Sequence, residues 1–374
     1  MAAKKKNIIS KASPHTIKKF ELIEEYIKSW AQKLLLTESC NGLIFIDCMC
    51  NSGVYTDDVG QLVKGTAVRV SEALREASRS YTEKNIHIYL NDKDKARVDE
   101  LKKHLPQDER NFKIVTSCGD AHELLRTIGP QLYGTGHLHY FLLYDPYDAT
   151  IDWEALLPFF RNWGEVMINH MVSDPVRAIT SAKKKTTKAK YENTYLEDFE
   201  KLVPYGSDKK AYEARVEEII NSLKGTRRYY VSAFPFYNTQ NSLVYNLIHC
   251  TSNKEGFKLY KKSAWKVFGA QSSTKHSVEN RQLPFNLFGE IAEEEDESCL
   301  HVIDIAKYLQ RSFRGRKQVS LDEMWELLDN HPIFPSKGFR NEVKSDLTDF
   351  FGAKIEQIVN PDTGKKETVI SFSS

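Results

Sequence analysis

Five short apolar runs, separated by helical patterns, limit what the first half of the chain can fold into. The runs cover residues 43–47, 86–90, 112–116, 139–144 and 165–169. The helical patterns between them cover residues 65–77, 93–104, 120–127 and 153–161. Apolar strands separated by helices are typical of a parallel sheet with helices on both faces, because such strands are buried on both sides. A further helix is predicted over residues 14–36, where apolar residues recur at three- and four-residue steps.

The pattern changes near residue 229. Two predicted strands, residues 229–237 and 243–250, are separated by only a few polar residues. This spacing requires an antiparallel hairpin, since a parallel pair needs a long crossover. Parallel strands followed by such a hairpin match the strand order of class I S-adenosylmethionine-dependent methyltransferases. The predicted fold class is therefore α/β, with a class I methyltransferase-like (Rossmann-like), mostly parallel sheet and an antiparallel terminal hairpin.

The last part of the chain is organised differently. Helices are predicted over residues 300–309, 321–328 and 339–351, and strands over residues 355–359 and 368–372 flank a turn. Three helices followed by a two-stranded wing form a winged-helix-like pattern. We therefore predict a basic N-terminal tail (1–12), a methyltransferase-like domain with an N-terminal helix (13–285), an acidic linker (286–298) and a winged-helix-like domain (299–374).

Composition argues against several classes of protein. The 374 residues carry 53 Lys and Arg against 51 Asp and Glu, so the net charge of +2 shows no overall bias. The apolar runs are too short for a transmembrane helix, and the N-terminus lacks the apolar segment of a secretory signal. The six cysteines show no metal-ligand spacing, and a chain of this length needs no disulfides to build a core. We expect a cytoplasmic protein with reduced cysteines, no metal site and no membrane association.

Acidic residues follow three of the predicted strands. Asp47 ends the first strand, Asp92 follows the second and Asp120 follows the third. Ligands of open parallel sheets bind at the carboxyl ends of the strands, and Gly53 in the loop after Asp47 permits close approach of a nucleoside. Plain strand-to-helix turns, with helix N-caps at Asp92 and Asp120, are the structural alternative. Together the three acids favour a nucleoside pocket.

The fourth predicted strand is followed by Asp145, Pro146, Tyr147 and Asp148. An exocyclic base amine is a poor nucleophile because its lone pair is delocalised into the ring. A carboxylate and a backbone carbonyl that accept both N–H groups favour the tetrahedral nitrogen that attacks a methyl group. Asp145 and the carbonyl of Pro146 supply these acceptors, and the ring of Tyr147 can stack on the base. The alternative is a structural turn in which Pro146 ends the strand.

Two basic clusters are candidate contacts for phosphate. The first lies between the fifth strand and the hairpin and contributes Lys183, Lys184, Lys185 and Lys188. The second lies in the C-terminal unit and contributes Arg314 and Arg316. Lysine runs also occur in solvated loops, and a winged helix docks proteins as often as it binds DNA, so both alternatives stay open.

The order and spacing of these motifs resemble the three-Cys-motif partner (TcmP) proteins over residues 13–270. The matching positions are His15, Thr16, Lys19, Tyr26 and Trp30, the loop from Asp47 to Tyr55, Gly65, Asp92, Gly119, Asp120, Ala121, Asp145, Pro146, Tyr147, Tyr245, Asn246, Leu247, Ile248, Gly256, Trp265 and Lys266. The resemblance implies a Rossmann-like methyltransferase fold, a bacterial, archaeal or phage source, and a radical-SAM-type partner protein with three cysteines. A more distant resemblance is to the RNA adenine-N6 methyltransferases.

Asp47, Gly53 and Tyr55 match the loop of the RNA adenine-N6 methyltransferases, and the Asp145 turn matches theirs in part. S-adenosylmethionine is the expected cofactor, bound by Asp47, Cys48, Gly53, Tyr55, Asp92, Asp120 and Ala121. The expected catalytic residues are Asp145, Pro146 and Tyr147. The expected nucleic-acid contacts are Lys19, Lys183, Lys184, Lys185, Lys188, Arg314 and Arg316. The predicted function is methylation of an exocyclic amine of a nucleic-acid base.

Two alternative functions stay open. Family members carry Phe-Ala-Gly where this chain has Met49, Cys50 and Asn51, and a glycine where it has Asp148. These departures favour a catalytically degenerate methyltransferase fold that serves as a partner or scaffold subunit in a defence or mobile-element system. An NAD-dependent enzyme would use the same sheet and ribose acid, but the chain lacks the G-x-G-x-x-G turn of that class.

Overall fold

The computed structural model describes residues 7–132, 137–160, 164–173, 175, 184–202, 209–225, 229–276, 298–359 and 364–373. The chain divides into two compact units, Met1–Leu259 and Tyr260–Ser374. Most of the predicted acidic linker lies outside the described residues, so the domain boundaries at residues 285 and 298 stay predictions.

The first unit alternates strands and helices as the sequence predicts. Its strands are β1 (Ser10–Lys11), β2 (Gly42–Asp47), β3 (Val54–Thr56), β4 (Leu62–Lys64), β5 (Asn85–Asn91), β6 (Phe112–Ser117), β7 (Leu138–Tyr144), β8 (Gly164–Met171), β9 (Tyr230–Tyr237) and β10 (Leu243–Thr251). Its helices are α1 (Pro14–Leu35), α2 (Thr66–Ser80), α3 (Lys95–Leu101), α4 (Ala121–Gln131), α5 (Trp153–Leu156), α6 (Lys185–Tyr195), α7 (Phe199–Leu202) and α8 (Lys209–Lys224). The boundary between the units falls within α9 (Lys254–Phe268).

A seven-stranded sheet forms the centre of the first unit, in the order β6-β5-β2-β7-β8-β10-β9. Neighbouring strands from β6 to β8 are parallel, whereas β10 is antiparallel to both β8 and β9. Numbered along the chain within this sheet, the order is 3-2-1-4-5-7-6, which is that of class I methyltransferase-like folds. The predicted fold class is therefore confirmed. Strands β5 and β6 lie on one side of β2, whereas β7 and the later strands lie on its other side. The topological switch point is therefore between β2 and β7.

The core of this unit lies on both faces of the sheet. All six residues of β2 are buried, as expected for a central strand that is covered on both sides. On one face, the rings of Tyr26 and Trp30 from α1 each lie 5.8 Å from the ring of Phe141 in β7. On the other face, Ile44 and Ile46 of β2 belong to a cluster that includes residues of α4, α5, α6 and α8. Helix α1 is therefore fixed against the sheet by its apolar face.

A second sheet of three short strands, β1-β3-β4, lies outside the predicted elements. Ser10 and Lys11 pair with Tyr55 and Thr56, so the end of the predicted basic tail forms a strand. The amide of Ala12 continues the pairing by donating to the carbonyl of Thr56 at 2.8 Å. Strands of two or three residues are too short to show a period in the sequence.

The second unit combines helices α10 (Val302–Ser312), α11 (Leu321–Asn330) and α12 (Arg340–Asp349) with strands β11 (Val319–Ser320), β12 (Lys354–Val359) and β13 (Lys366–Ser371). The strands form an antiparallel sheet in the order β11-β13-β12. The ammonium of Lys261 is buried and donates to the carbonyls of Leu328, Asp329 and His331 at 2.8, 3.3 and 2.6 Å. This cation satisfies the end of α11, where helix carbonyls lack partners and the helix dipole favours positive charge. Most of the predicted turn between the last two strands lies outside the described residues.

The described residues bear on membrane insertion, metal binding and the state of the cysteines. None of the helices described is both long and apolar enough to cross a membrane. In the same residues, no group of three or more His, Cys, Asp or Glu side chains is arranged to hold a metal ion. All six cysteines are free thiols, and only Cys118 is exposed.

Candidate functional site

Carboxylates from three strand ends meet at the carboxyl edge of the central sheet. Asp47 is the last residue of β2, Asp92 follows β5 and Asp145 follows β7. Asp47 and Asp145 flank the topological switch point, so they border the crevice in which open α/β sheets bind ligands. Both Asp145 and Asp92 are close enough to Asp47 to raise its pKa. The fold therefore brings together three of the acids that the sequence assigned to the site.

Asp47 is 3% exposed, and this burial raises its pKa to about 7. The Met49 N–H, which donates to Oδ1 of Asp47 at 3.0 Å, and the charge of Lys19 both lower that pKa. Repulsion from Asp145 and Asp92 raises it. Asp47 therefore exchanges its proton near neutral pH, and a positively charged ligand beside it would favour the carboxylate.

The loop after β2 is held in a glycine-like conformation at two positions. Gly53 has φ +70°, and a Cβ at this position would lie 2.3 Å from Cδ1 of Leu101. Asn51 has φ +57°, a region that Asn tolerates better than most residues. The side-chain Oδ1 of Asn51 accepts the N–H of Ser52 at 2.7 Å, which stabilises this conformation. Asn51 thus takes up the conformation that a glycine would adopt at the same place.

Asp92 binds the loop after β2 instead of capping the following helix. Its Oδ2 accepts the N–H of Asn51 at 3.1 Å, and its Oδ1 accepts the N–H of Asp94 at 2.9 Å. Helix α3 is capped by Asp94, whose Oδ1 accepts the N–H of Ala96 at 3.0 Å. The alternative in which Asp92 is the N-cap is therefore wrong, because the helix begins two residues later than predicted.

Asn91, which the sequence analysis did not single out, joins two of the loops at this edge. Its Nδ2 donates to the carbonyls of Cys48 and Gly119 at 3.1 and 3.0 Å, and its Oδ1 accepts the hydroxyl of Ser117 at 2.9 Å. The residue is 1% exposed. A polar residue directly after the apolar run 86–90 is the sequence signal that could have identified it.

Asp120 caps helix α4, as its structural alternative predicts. Its Oδ1 accepts the N–H groups of Glu123 and His122 at 3.1 and 2.9 Å, and these bonds lower the pKa of Asp120. Asp120 is exposed, and Ala121, the first residue of α4, is half-buried. Contact of Asp120 and Ala121 with an adenine ring stays a prediction.

Asp145 is paired with two side chains of the protein. The ammonium of Lys19 lies 2.5 Å from Oδ2 of Asp145, and Nδ2 of Asn169 donates to Oδ1 at 2.6 Å. Lys19 is 6% exposed and its ammonium lies 5.3 Å from the centroid of the Tyr245 ring. The expectation that Lys19 contacts nucleic acid is therefore corrected. Its charge is directed into the interior because it neutralises the Asp145 carboxylate.

Tyr147 bridges two of the loops. It is 54% exposed, its hydroxyl contacts Arg97, and it also donates to Oδ2 of Asp92 at 3.3 Å. The guanidinium of Arg97 lies 5.1 Å from the centroid of the Tyr147 ring, within the range of a cation–π contact. Pro146, the preceding residue, is buried. One face of the Tyr147 ring is thus packed against Arg97.

Cys48 follows β2 directly and is buried, and Tyr55 lies in β3 and is half-buried. Burial raises the pKa of Tyr55 well above its usual value, and the charge of Asp145 adds to the rise. The Tyr55 ring lies 4.9 Å from the ring of Phe20 in α1. Burial also raises the pKa of the Cys48 thiol, and Asp47 adds to this effect. Both groups therefore stay protonated at neutral pH.

The first basic cluster lies at the start of helix α6, where the sequence predicts no helix. Lys184 and Lys185 are exposed, and Lys183 lies outside the described residues. The ammonium of Lys188 lies 4.7 Å from the centroid of the Phe199 ring. Lys190 forms an ion pair with Asp148 at 2.9 Å, which joins this helix to the turn after β7. Asp148, a glycine in the resembling family, thus has a structural partner here.

The second basic cluster lies in the second unit. Arg314 and Arg316 are both exposed, and Arg316 pairs with Glu323 at 2.7 Å. Helix α12 carries two basic and three acidic residues, Arg340, Lys344, Glu342, Asp346 and Asp349. Burial raises the pKa of Asp346, and the neighbouring carboxylates add to it. The surface of α12 is therefore slightly acidic, which disfavours insertion of this helix into a DNA groove.

No protein-family model matches the sequence, and no curated protein matches it. Among solved structures, the chain is similar to Trm1 from Pyrococcus horikoshii in complex with S-adenosyl-L-methionine, with 12% identity and a TM-score of 0.38 over 70% of this chain and 62% of Trm1. It is also similar to the Legionella pneumophila protein LPL1258, with 10% identity and a TM-score of 0.38 over 67% and 92% of the two chains. A third is the O-methyltransferase from Bacillus cereus in complex with SAH, with 10% identity and a TM-score of 0.33 over 61% and 80%. The chain thus spans less than two thirds of Trm1, and its fold assignment depends on its strand order.

Proposed function

We propose that the chain is an S-adenosylmethionine-dependent methyltransferase that acts on an exocyclic amine of a nucleic-acid base. The observation that carries this proposal is the meeting of Asp47, Asp92 and Asp145 around the Gly53 loop, at the switch point of a methyltransferase-like sheet. Crevices of this kind bind nucleoside ligands at the carboxyl ends of the strands. The chemistry of these residues determines how the cofactor and the target amine would be bound.

The residues present fit the cofactor. Gly53 is buried, and a Cβ at this position would collide with Leu101, so glycine lets the loop after β2 pack closely against α3 beside the crevice. Asp92 is a carboxylate at the position where ribose hydroxyls find an acceptor. When bound, S-adenosylmethionine supplies a methyl group on a positively charged sulfur. Asp47, with a pKa of about 7, would provide the negative charge that such a cation favours.

The balance of charge disfavours the NAD alternative. The carboxylates of Asp92 and Asp145 and the partly ionised Asp47 are accompanied by the cations of Lys19 and Arg97, so this edge has no excess of positive charge. A dinucleotide would bring a diphosphate to this edge, and phosphate binding requires N–H donors or an excess of cations. S-adenosylmethionine carries no phosphate, so it suits an acidic crevice better.

The turn after β7 supplies acceptors for the N–H groups of an amine. Asp145 keeps acceptor capacity beyond its bonds to Lys19 and Asn169, because each carboxylate oxygen can accept two hydrogen bonds. The carbonyl of Pro146 is a second acceptor. These groups favour the charge that develops on the amine nitrogen during transfer, and the carboxylate is a base for the proton that leaves it. Lys184 and Lys185 are exposed cations that can contact the phosphate backbone of the substrate.

The experiment is methyl transfer from radiolabelled S-adenosylmethionine to single-stranded RNA and DNA of random sequence, followed by nucleoside analysis. The proposal expects label on an amino-substituted base and a loss of at least about 100-fold in Asp145→Asn, because a positioned acid–base group contributes 10²–10⁴-fold. Asp99→Asn is the matched control, since Asp99 is exposed and pairs with Lys95 away from the crevice. Transfer that survives unchanged in Asp145→Asn would contradict the assigned role.

A second candidate is the non-catalytic partner or scaffold subunit. It is favoured by the fact that groups of the protein already bind the site carboxylates. Asn51 and Tyr147 donate to Asp92, and Lys19 pairs with Asp145. This candidate predicts a folded protein that binds neither S-adenosylmethionine nor S-adenosylhomocysteine.

We also propose membership of the TcmP family, a three-cysteine radical-SAM-type partner and a winged-helix-like second unit. The order of the sequence motifs supports membership of the family. The order of helices and strands in Tyr260–Ser374 supports the winged-helix-like unit. The exposed Arg314 and Arg316 are the candidate nucleic-acid contacts of that unit. Co-purification of the full chain with a co-expressed three-cysteine protein tests the partner, and no co-purification would contradict it.

A further inference from the structure

Asn169 is a buried polar residue that lies beside Asp145 and is only half satisfied. It belongs to β8, next to β7, and is 3% exposed. Its Nδ2 donates to Oδ1 of Asp145 at 2.6 Å. Its Oδ1 is buried, and no group in the described part of the chain donates to it. A buried carbonyl oxygen without a donor is rare in folded proteins and indicates a ligand or a bound water.

The orientation of the Asn169 amide follows from its neighbour. The carboxylate of Asp145 accepts hydrogen bonds and donates none, so the amide nitrogen must face it. Rotating the amide would bring two oxygens together. The oxygen of Asn169 is therefore the atom that lacks a partner, and it lies one side chain away from the carboxylate that we assign to the target amine.

We infer that Oδ1 of Asn169 accepts an N–H of the target base and thereby selects amine-bearing bases over their oxo counterparts. This inference depends on the proposed function and adds a specificity-determining residue to it. An exocyclic amine offers two N–H groups; in this inference Asp145 accepts one, and Oδ1 of Asn169 takes the place of the Pro146 carbonyl as acceptor of the other. A carbonyl oxygen at the same place on the base would face two acceptors and be repelled.

The experiment measures binding of the full chain, saturated with S-adenosylhomocysteine, to fluorescent single strands in which one base stands among abasic spacers. That base is adenine or hypoxanthine in one pair of probes, and cytosine or uracil in the other. The wild type is expected to prefer at least one amine-bearing base over its oxo counterpart by about tenfold, the scale of one hydrogen bond to a buried group. Equal binding of both members in both pairs overturns the inference.

Two variants distinguish a role of Asn169 as hydrogen-bond acceptor for the base from a role in positioning Asp145. Asn169→Leu keeps the branched shape of the side chain but removes both polar groups, so the preference is expected to disappear. Asn169→Asp keeps an acceptor oxygen, and the new carboxyl group shares one proton with Asp145, so the preference is expected to persist. Loss of preference in both variants would mean that Asn169 only positions Asp145, and the inference fails. If Asn169→Asp does not fold, the wild type and Asn169→Leu still decide whether Asn169 provides the selectivity.

Calorimetry with S-adenosylhomocysteine separates this inference from the proposed function. Wild-type protein that binds S-adenosylhomocysteine but shows no amine preference refutes the role of Asn169 alone. Folded protein that binds no S-adenosylhomocysteine refutes the proposed function and this inference with it.

Discussion

The ammonium of Lys19 in α1 lies 2.5 Å from Oδ2 of Asp145, the carboxylate that follows β7. The two residues are 126 positions apart in the sequence, so the first helix supplies the counter-charge for the turn at the switch point. The Lys19 side chain is 8% exposed and that of Asp145 is 22% exposed, so water screens the pair only in part. Removing the lysine would leave a largely buried carboxylate without its cation.

Lys19→Met is expected to lower the free energy of unfolding by about 1–3 kcal/mol, because the carboxylate keeps only the hydrogen bond from Asn169. Lys18→Met is the matched control, since the neighbouring Lys18 is 46% exposed and pairs with Glu21 on the surface. The control is expected to change stability by less than about 0.5 kcal/mol. Chemical denaturation measures both, and equal effects of the two variants would show that the buried pair contributes nothing special.

The pKa of Asp47 makes stability depend on pH. Its folded-state pKa of about 7 lies above the usual value of 3.8 for an aspartate, so the folded protein holds a proton that the unfolded chain has released. The stability that Asp47 contributes is therefore fully present below about pH 4 and is lost as the pH rises to about 7. The free energy of unfolding falls by no more than about 1.4 kcal/mol per pH unit in this range. Asp47→Asn cannot lose a proton there.

We expect Asp47→Asn to gain stability relative to the wild type between pH 5 and pH 7. Denaturation at the two pH values measures the difference between the two proteins, and the pH-dependence of groups that do not interact with Asp47 cancels in this comparison. A difference that stays constant with pH would contradict the raised pKa of Asp47.

Gly53→Ala tests the loop that follows β2. The positive φ of Gly53 and the 2.3 Å approach of a Cβ to Leu101 both oppose a side chain here, and a cost of about 1–3 kcal/mol is expected. Gly60→Ala is the control. Gly60 also has a positive φ, but no atom lies within 4 Å of its Cβ position, so only the backbone term of about 1 kcal/mol applies. Equal melting temperatures for the two variants would exclude the contact with Leu101.

Lys261→Met tests the second unit. The substitution removes the cation that donates to three carbonyls at the end of α11, and a loss of about 2 kcal/mol is expected because these carbonyls lose a charged donor. Lys262→Met is the control, since Lys262 is exposed. Thermal unfolding of the two variants in the full chain measures the difference, and similar melting temperatures would refute the role of Lys261.

The sequence predicts the central sheet well because its strands are rich in apolar residues and most are followed by polar ones. Asp47 and Asp92 are predicted as site residues because each is a polar residue at the end of an apolar run. Asn91 and Asn169 also stand at the ends of apolar runs, but an uncharged amide does not by itself indicate a site. The partner of Asp145 could not be predicted, because Lys19 reaches it only through the packing of α1 on the sheet. The strands β1, β3 and β4 are too short to have a pattern.

Helices α6 to α8 were also missed. The first turns of α6 are rich in lysine and lack a clear apolar face, so the segment resembled a solvated loop. Its buried residues, Tyr191, Thr194 and Tyr195, come late in the helix. Tertiary contacts, including the ion pair of Lys190 with Asp148, determine this part of the fold.

Calorimetric titration of the full chain with S-adenosylmethionine and S-adenosylhomocysteine tests the central claim most directly. The account predicts binding by the wild type and a weakening of at least about tenfold in Asp92→Asn, because an amide replaces the carboxylate that accepts from ribose hydroxyls. Asp99→Asn, with an intact crevice, is expected to bind like the wild type. Folded wild-type protein that binds neither ligand would contradict the account and favour the scaffold subunit.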